Sequence, residues 1–342
     1  MFEGFHGNQR ARAALARMIE QERIPQTLLL AGPDGVGKAT LARRLAAELL
    51  GDKDKIEQDD LSLPQNVALV EERQKWPAER RAEEPLFFAA HLDFVTFPPD
   101  GPLRQISIQQ MRLLKERAQF KPGRGPRRVF LIDHLDRANE QAANSLLKTL
   151  EEPPDHLILV LTAENAQDLL PTIRSRSVPI YLGSLSPEEM AAFLEPRGLD
   201  QPDRRIRLAA GSPGRAVSLD LEDYDRRRTA MLALLQAASG VTPFAAWLEH
   251  ADAVAAAREE KLEAYLSVLY SLLADLLALQ QLAGAVRNSE VTKELEQIAQ
   301  RVPFTWIRAA VGKVDVLISL LRRNIQKSIA LDALILDLRP SA

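Results

Sequence analysis

The 342-residue chain contains no cysteine. That excludes disulfides and every thiolate metal site, a four-cysteine structural zinc included, and it fits a reducing compartment such as the cytoplasm. Aromatic residues are also few, at 5%. Leu, Ala, Arg and Glu are abundant instead; they lose little freedom in a helix, so a largely helical chain is expected. Neither sign of charge prevails, since 44 Lys and Arg against 47 Asp and Glu leave a net charge of −3. Any contact with DNA therefore has to come from a local patch. No apolar run approaches the ~20 residues needed to span a bilayer. Met1 to Arg10 also lacks the basic-then-apolar order of a signal peptide, so no membrane partner is expected. What is present, 46% hydrophobic and 27% charged residues, is the balance of a globular protein, at a length that suits two or three compact units.

The first half alternates between two periodicities. An amphipathic helical pattern over Asn8 to Glu22 is followed by the apolar run Leu28 to Ala31, then by a helix from Lys38 to Leu50 with Leu41, Leu45 and Leu49 on one face. Further strands are predicted at Phe94–Phe97, Arg128–Ile132, Leu157–Leu161 and Val178–Leu182, with helices at Ser107–Gln119 and Glu140–Glu151. Repeated strand–helix–strand order points to a parallel sheet covered on both faces. The order lapses between Gly51 and Ala90, a stretch dense in Asp, Glu, Lys and Arg that reads as a surface insertion. After Leu182 no strand is predicted. Ser186-Pro187-Glu188-Glu189 is a helix start, Gly211-Ser212-Pro213-Gly214 is a break, and long helices come after it. One apolar stripe runs Leu262, Leu266, Leu269, Leu273 and Leu276, widened by Leu277 and Leu279. A second runs Ile307, Val311, Val314, Ile318 and Leu321.

The most specific motif is Gly32-Pro33-Asp34-Gly35-Val36-Gly37-Lys38-Ala39-Thr40, between a strand and a helix. Glycines let the backbone wrap closely around phosphates while the helix N-terminus supplies positive potential. Lys38 would reach the β- and γ-phosphates, so Gly32, Gly35, Gly37 and Lys38 are candidate nucleotide ligands. The position after the Lys normally carries the Ser or Thr hydroxyl that ligates Mg²⁺. Ala39 has no oxygen, and Thr40 stands one residue late. A second element, Val129 to Asp133, is an apolar strand ending in a carboxylate placed to hold Mg²⁺. His134 stands where related ATPases carry the Glu that orients the attacking water, and an imidazole is a poorer base there. ATP or ADP binding is thus expected to be weak or structural, with Mg²⁺-supported hydrolysis impaired.

The run Asp133-His134-Leu135-Asp136-Arg137-Ala138-Asn139, the run Ala143-Asn144-Ser145-Leu146-Leu147-Lys148-Thr149-Leu150-Glu151-Glu152-Pro153-Pro154, and Leu170-Pro171-Thr172-Ile173-Arg174-Ser175-Arg176-Ser177 together resemble the bacterial clamp-loader AAA+ proteins, above all the delta-prime subunits of DNA polymerase III. The resemblance is tight over Phe2–Leu50 and His91–Arg215, and looser through the C-terminal helices. It implies an α/β AAA+ P-loop domain over residues 1–182, with 51–90 as its charged insertion. A small helical lid would occupy 183–222 and an all-helical collar 223–342. The resemblance also implies that Arg176 is an arginine finger, although Ser177 replaces the family's Cys. Thr162 would stand at the sensor position that feels the γ-phosphate, and Arg215 near a second sensor. The family's zinc-binding cysteines are missing, so no zinc and no metal ligand set is expected, the five His being scattered.

Three features stay open in the sequence. Lys121, Arg124, Arg127 and Arg128 form a basic stretch that suits phosphate contact or, more simply, a solvated loop. Glu151-Glu152 at a helix C-terminus runs against the helix dipole with no evident partner. The C-terminal stripes fit a self-contained bundle or a collar between subunits. The expected function is a cytoplasmic, non-motor subunit of a clamp loader that lends Arg176 to a neighbouring motor. Its partners would be gamma/tau-type motor subunits and the delta subunit, with the sliding clamp and primed DNA reached through the assembly. The rivals are an active AAA+ ATPase of a clamp loader or helicase-associated complex, and a nucleotide-binding scaffold.

Overall fold

The computed structural model describes residues 1–256, 262–281, 286–320 and 326–339. The chain forms two compact units, Met1–Asp200 with Gly211–Arg215, and Gln201–Ala210 with Ala216–Ala342.

The first unit is built on five parallel strands: β1 (Thr27–Ala31), β2 (Phe94–Phe97), β3 (Arg128–Ile132), β4 (Leu157–Ala163) and β5 (Val178–Tyr181). Their spatial order is β2-β3-β4-β1-β5. All residues of β1 to β4 are buried, because helices cover both faces, and this is why the strands read as continuous apolar runs. Alternate side chains feed two cores. Leu29, Val95, Phe97, Phe130 and Leu161 face one side with the helices that come after β2 and β3; Leu28, Leu30, Phe94, Leu131 and Val160 face the other with the first two helices.

Those first helices are α1 (Gln9–Glu20) and α2 (Lys38–Leu50). The sequence pattern starts α1 at Asn8, but Asn8 adopts a left-handed backbone and its amide grips Gly183 instead of capping the helix, with both bonds formed (3.1 and 2.8 Å). The insertion holds three short helices, α3 (Lys53–Glu57), α4 (Pro64–Gln74) and α5 (Ala78–Glu83). Between β2 and β3 lies α6 (Ile108–Ala118), started by a capping box of Ser107 and Gln110. Between β3 and β4 lies α7 (Glu140–Glu151), capped by the Asn139 side chain on the Ala142 amide at 2.8 Å. The short α8 (Pro171–Arg174) precedes β5, and α9 (Pro187–Leu194) opens with the predicted Ser186–Glu189 capping box.

The second unit has helices only, among the described residues: α10 (Pro202–Ala209), the end of α11 (Pro213–Ser218), α12 (Leu221–Ala238), α13 (Ala245–Ala256), α14 (Leu262–Gln281), α15 (Thr292–Arg301), α16 (Phe304–Leu320) and α17 (Lys327–Leu338). Leu321 of the second apolar stripe lies outside the described residues. By length and composition α14 is apolar enough to cross a membrane, contrary to the expectation that no segment approaches this. Leu266, Leu269, Leu272, Leu273 and Leu276 are buried against α12 and α16, which accounts for the composition as that of a core helix. Its one buried carboxylate, Asp275, accepts the backbone amides of Arg287 and Asn288 and the Asn288 side chain, so the charge is not left unpaired.

Candidate functional site

Sheet order alone assembles the site. Strands β3, β4 and β1 are neighbours, so the segments leaving their C-terminal ends converge: Asp133 and His134 after β3, Glu164 after β4, and the glycine loop after β1. Ligand sites of open parallel sheets lie at this edge. The β1–β4 register sets Ala31 beside Ala163. Thr162, fully buried, donates its hydroxyl to Asp133 Oδ1 at 2.6 Å and accepts the His134 amide at 2.7 Å. Asp133 is 5% exposed. His134 takes a left-handed backbone with φ 53°, which turns its imidazole back over the strand ends. Its Nε2 lies 4.0 Å from both Asp34 Oδ1 and Asp133 Oδ2.

The glycine loop also makes contacts within the chain. Lys38, 5% exposed, donates Nζ to the carbonyls of Gly32 at 2.7 Å and Pro33 at 2.9 Å. Burial draws its pKa below the usual lysine value, against the opposing pull of Asp34, Glu164, Asp133 and Asp136. Two glycines are demanded by protein packing. A Cβ on Gly32 would sit 2.2 Å from the Leu182 carbonyl oxygen; on Gly35, with φ +74°, it would sit 2.3 Å from Ser212 Oγ. Ser212 also donates to the Asp34 carbonyl at 2.9 Å, and the Gly214 amide donates to that of Gly35 at 2.8 Å. Gly37 is likewise left-handed, Thr40 is half-buried in the first turn of α2, and Arg215 is exposed beside Gly35.

Ala39 supplies no oxygen at the position where this motif places the Mg²⁺-ligating hydroxyl, so the residues present lack one ligand for Mg²⁺-nucleotide.

Arg176 belongs to a different surface. It is exposed, with its polar contacts on Glu151 (Nη2 to Oε1, 2.8 Å), the Thr172 carbonyl (3.0 Å) and Ser175 Oγ. The unexplained acid at the end of α7 thus has a partner that lies 25 positions along the chain, and Arg176 offsets the charge that opposed the dipole. Ser177, at the position of the family's Cys, is buried and donates its hydroxyl to the Ile173 carbonyl at 2.9 Å, closing the turn that presents Arg176.

Three local features correct or extend the sequence reading. Arg128 of the basic stretch is no phosphate ligand: it is buried, donates to the carbonyls of Arg117, Phe120 and Leu92, and pairs with Asp93. The insertion is held by polar and ionic contacts, with Arg43 and Arg73 buried among them. Arg73 makes two bonds to Asp100 (3.1 and 2.7 Å), Arg43 bridges Glu57 and Asp60, and the guanidinium groups of Arg73 and Arg80 both lie over the Trp76 ring. Finally, although no metal-ligating set was expected, Asp34, His134 and Glu164 bring ligand atoms within 4.8 Å of one another. No linear spacing could reveal a set spread over three loops.

The family described as DNA polymerase III, delta subunit, matches residues 7–186. The chain belongs to this family of clamp-loader subunits. Among its relatives, DNA polymerase III subunit delta-prime of Escherichia coli (strain K12) is 30% identical over 229 residues, covering 66% of this chain and 66% of that protein. Subunit tau of the same organism is 28% identical over 330 residues, covering 88% of this chain and 48% of tau. The chain thus spans just under two thirds of the delta-prime relative and about half of tau. A solved Thermotoga maritima protein related to the gamma subunit has a TM-score of 0.44 at 18% identity, covering 96% of this chain and 98% of that one.

Proposed function

We propose that this clamp-loader subunit is a non-motor, stator-type member of a cytoplasmic assembly, and that Arg176 acts in trans on ATP held by a neighbouring gamma/tau-type motor. The observation that carries this reading is the contrast between two sites. The chain's own loop has Lys38 turned onto the Gly32 and Pro33 carbonyls and no hydroxyl at position 39. Arg176 stands exposed on a closed turn, held by its ion pair with Glu151, which a stronger anion can displace, and by hydrogen bonds to the Thr172 carbonyl and Ser175. A guanidinium placed against a γ-phosphate steadies the charge that develops during transfer. Exchange of Glu151 for that phosphate is favourable because the phosphate carries more charge and offers bidentate geometry.

The partners that complete this reading are the motor subunits, the delta subunit, and, through the assembly, the sliding clamp and primed DNA. Gly35, Gly37, Lys38, Thr162, Asp133 and Arg215 would at most hold a nucleotide without turning it over. A second reading, an active motor, is favoured by the match to tau over 88% of this chain.

Turnover decides between them. The chain alone should hydrolyse ATP negligibly. Mixed with motor subunits it should raise their turnover, and Arg176→Ala should abolish that rise, slowing the served site by on the order of a thousandfold. Robust hydrolysis by the purified chain alone would sink the stator reading.

A further inference from the structure

The basic stretch before β3 still has no role once Arg128 is accounted for by burial. Gln119 to Arg127 carries Lys121, Arg124 and Arg127 and no acidic residue. Lys121 and Arg124 are exposed, and Arg127 is half-buried. None of these three side chains has an ion-pair or hydrogen-bond partner among the described residues. The strands are parallel, and this loop enters β3 whereas the glycine loop leaves β1. The two loops therefore lie at opposite ends of the sheet.

Buried groups fix the shape of this loop. Asp93 accepts the Gly123 amide on Oδ1 and the Arg124 amide on Oδ2, each at 2.8 Å. Arg128 pairs with Asp93 and donates to the carbonyls of Phe120 at 3.2 Å and Leu92 at 3.4 Å. One buried ion pair thus ties the backbone of Leu92, Phe120, Gly123 and Arg124 into a single surface. Leu92 lies directly on the loop, since a Cβ at Gly123 would meet its Cδ2 at 2.1 Å. Even so, Leu92 is 65% exposed and Phe120 58% exposed. A lone apolar side chain on a surface needs no explanation. Here two large ones are held in solvent by buried polar groups, beside three cations that lack acids.

We propose that Leu92, Phe120, Lys121, Arg124 and Arg127 form a docking surface for an acidic, apolar-bearing peptide segment of a partner protein. Charge complementarity commits the surface to an anion, because unpaired cations act over a Debye length of ~8 Å at physiological salt. The two apolar side chains decide which anion. Sequence-tolerant binding of single-stranded nucleic acid uses aromatic rings on which successive bases stack. This surface offers one ring, Phe120, beside a leucine that has no π-face. An acidic peptide uses every group: its carboxylates meet the ammonium and guanidinium ions, and its apolar residues cover Leu92 and Phe120. Arg124 and Arg127 can each take a carboxylate through two parallel bonds. Because Asp93 and Arg128 already fix the loop, docking costs little backbone ordering. The proposal does not rest on Arg176 serving a neighbour.

The test is fluorescence anisotropy on the full chain with three labelled probes. These are a short peptide alternating Asp or Glu with Leu or Phe, the same peptide with Ser at its apolar positions, and oligothymidine. The first peptide should bind the wild type about tenfold or more tightly than the second, and less tightly as NaCl rises. Phe120→Ser should weaken it roughly tenfold, as should Lys121→Ala combined with Arg124→Ala. The substituted side chains are exposed, and circular dichroism checks that both variants fold. Equal peptide binding by wild type and variants overturns the proposal, and so does absence of binding to the wild type. Oligothymidine held more tightly than the peptide, and weakened by the same substitutions, also overturns it and assigns the surface to nucleic acid. ATP turnover by mixed subunits tests Arg176 separately, so failure of one reading leaves the other standing.

Discussion

Single residues decide what the chain's own phosphate loop can do. Ala39 and His134 were legible as losses because the motif fixes which atom is needed at which step. The state of Lys38 was not legible. Its bonds to the Gly32 and Pro33 carbonyls depend on how the loop closes against Ser212 and Gly214, nearly two hundred positions away. Asp59 in the insertion is a similar case: in the sequence it is one acid in a charged run, yet it is 1% exposed and accepts the Ala90 amide at 2.9 Å. Burial lifts its carboxyl from 3.8 to about 6, outweighing the Ala90 amide, the Thr96 hydroxyl and Arg43, which pull it down. A carboxyl whose folded pKa is raised favours the fold when protonated. Its contribution is complete below about pH 4 and is lost as pH rises through about 6. Asp59→Asn keeps an acceptor for Ala90 without the charge. It should therefore gain up to about 3 kcal/mol over wild type at pH 7.5 and little at pH 4, by urea denaturation. An equal difference at both pH values would show that Asp59 does not titrate in this way.

At the scale of elements, the insertion shows how a module without cysteine is held. Helices α3 to α5 bury little apolar surface: Ile56 is their one fully buried apolar side chain among the described residues. Polar anchors replace a core, chiefly Arg73 with its two bonds to Asp100 and a third to the Glu84 carbonyl at 2.6 Å. Removing one partner of a buried pair leaves the other uncompensated, at about 3–5 kcal/mol. Arg73→Ala should therefore open residues 51–90 to limited proteolysis while the sheet keeps its protection in hydrogen exchange. Loss of protection throughout the sheet would mean that the insertion is not a local module. The composition showed that no thiolate site could exist there, but not what replaced it, because Arg73 and Asp100 are 27 positions apart and on no common periodic face. The pairing of Glu151 with Arg176 teaches the same lesson. Glu151 read as an electrostatic conflict, and Arg176 as an isolated finger; the fold makes each the partner of the other.

For the whole molecule, the alternation of periodicities in the first half and its loss after β5 point to an α/β part followed by a helical part, while the first compact unit runs past β5 to Asp200 and takes in Gly211–Arg215. Helix α14 is where composition alone misleads, since its mean hydropathy of 1.6 suits a bilayer as well as a core. Leu272 is fully buried in the helical unit. Leu272→Ala should cost about 2–5 kcal/mol in chemical denaturation, whereas a lipid-facing leucine would show little change in aqueous buffer. The sequence by itself determined the strands, the order of the elements, the phosphate-loop motif and its missing hydroxyl, because these depend on near neighbours and on which atoms a side chain owns. Only the tertiary structure decided that Lys38 is held by its own loop, that Arg176 is parked on Glu151, and that Asp34, His134 and Glu164 share one space. Each of these joins residues from separate loops, and strand order and register bring them together, not spacing along the chain.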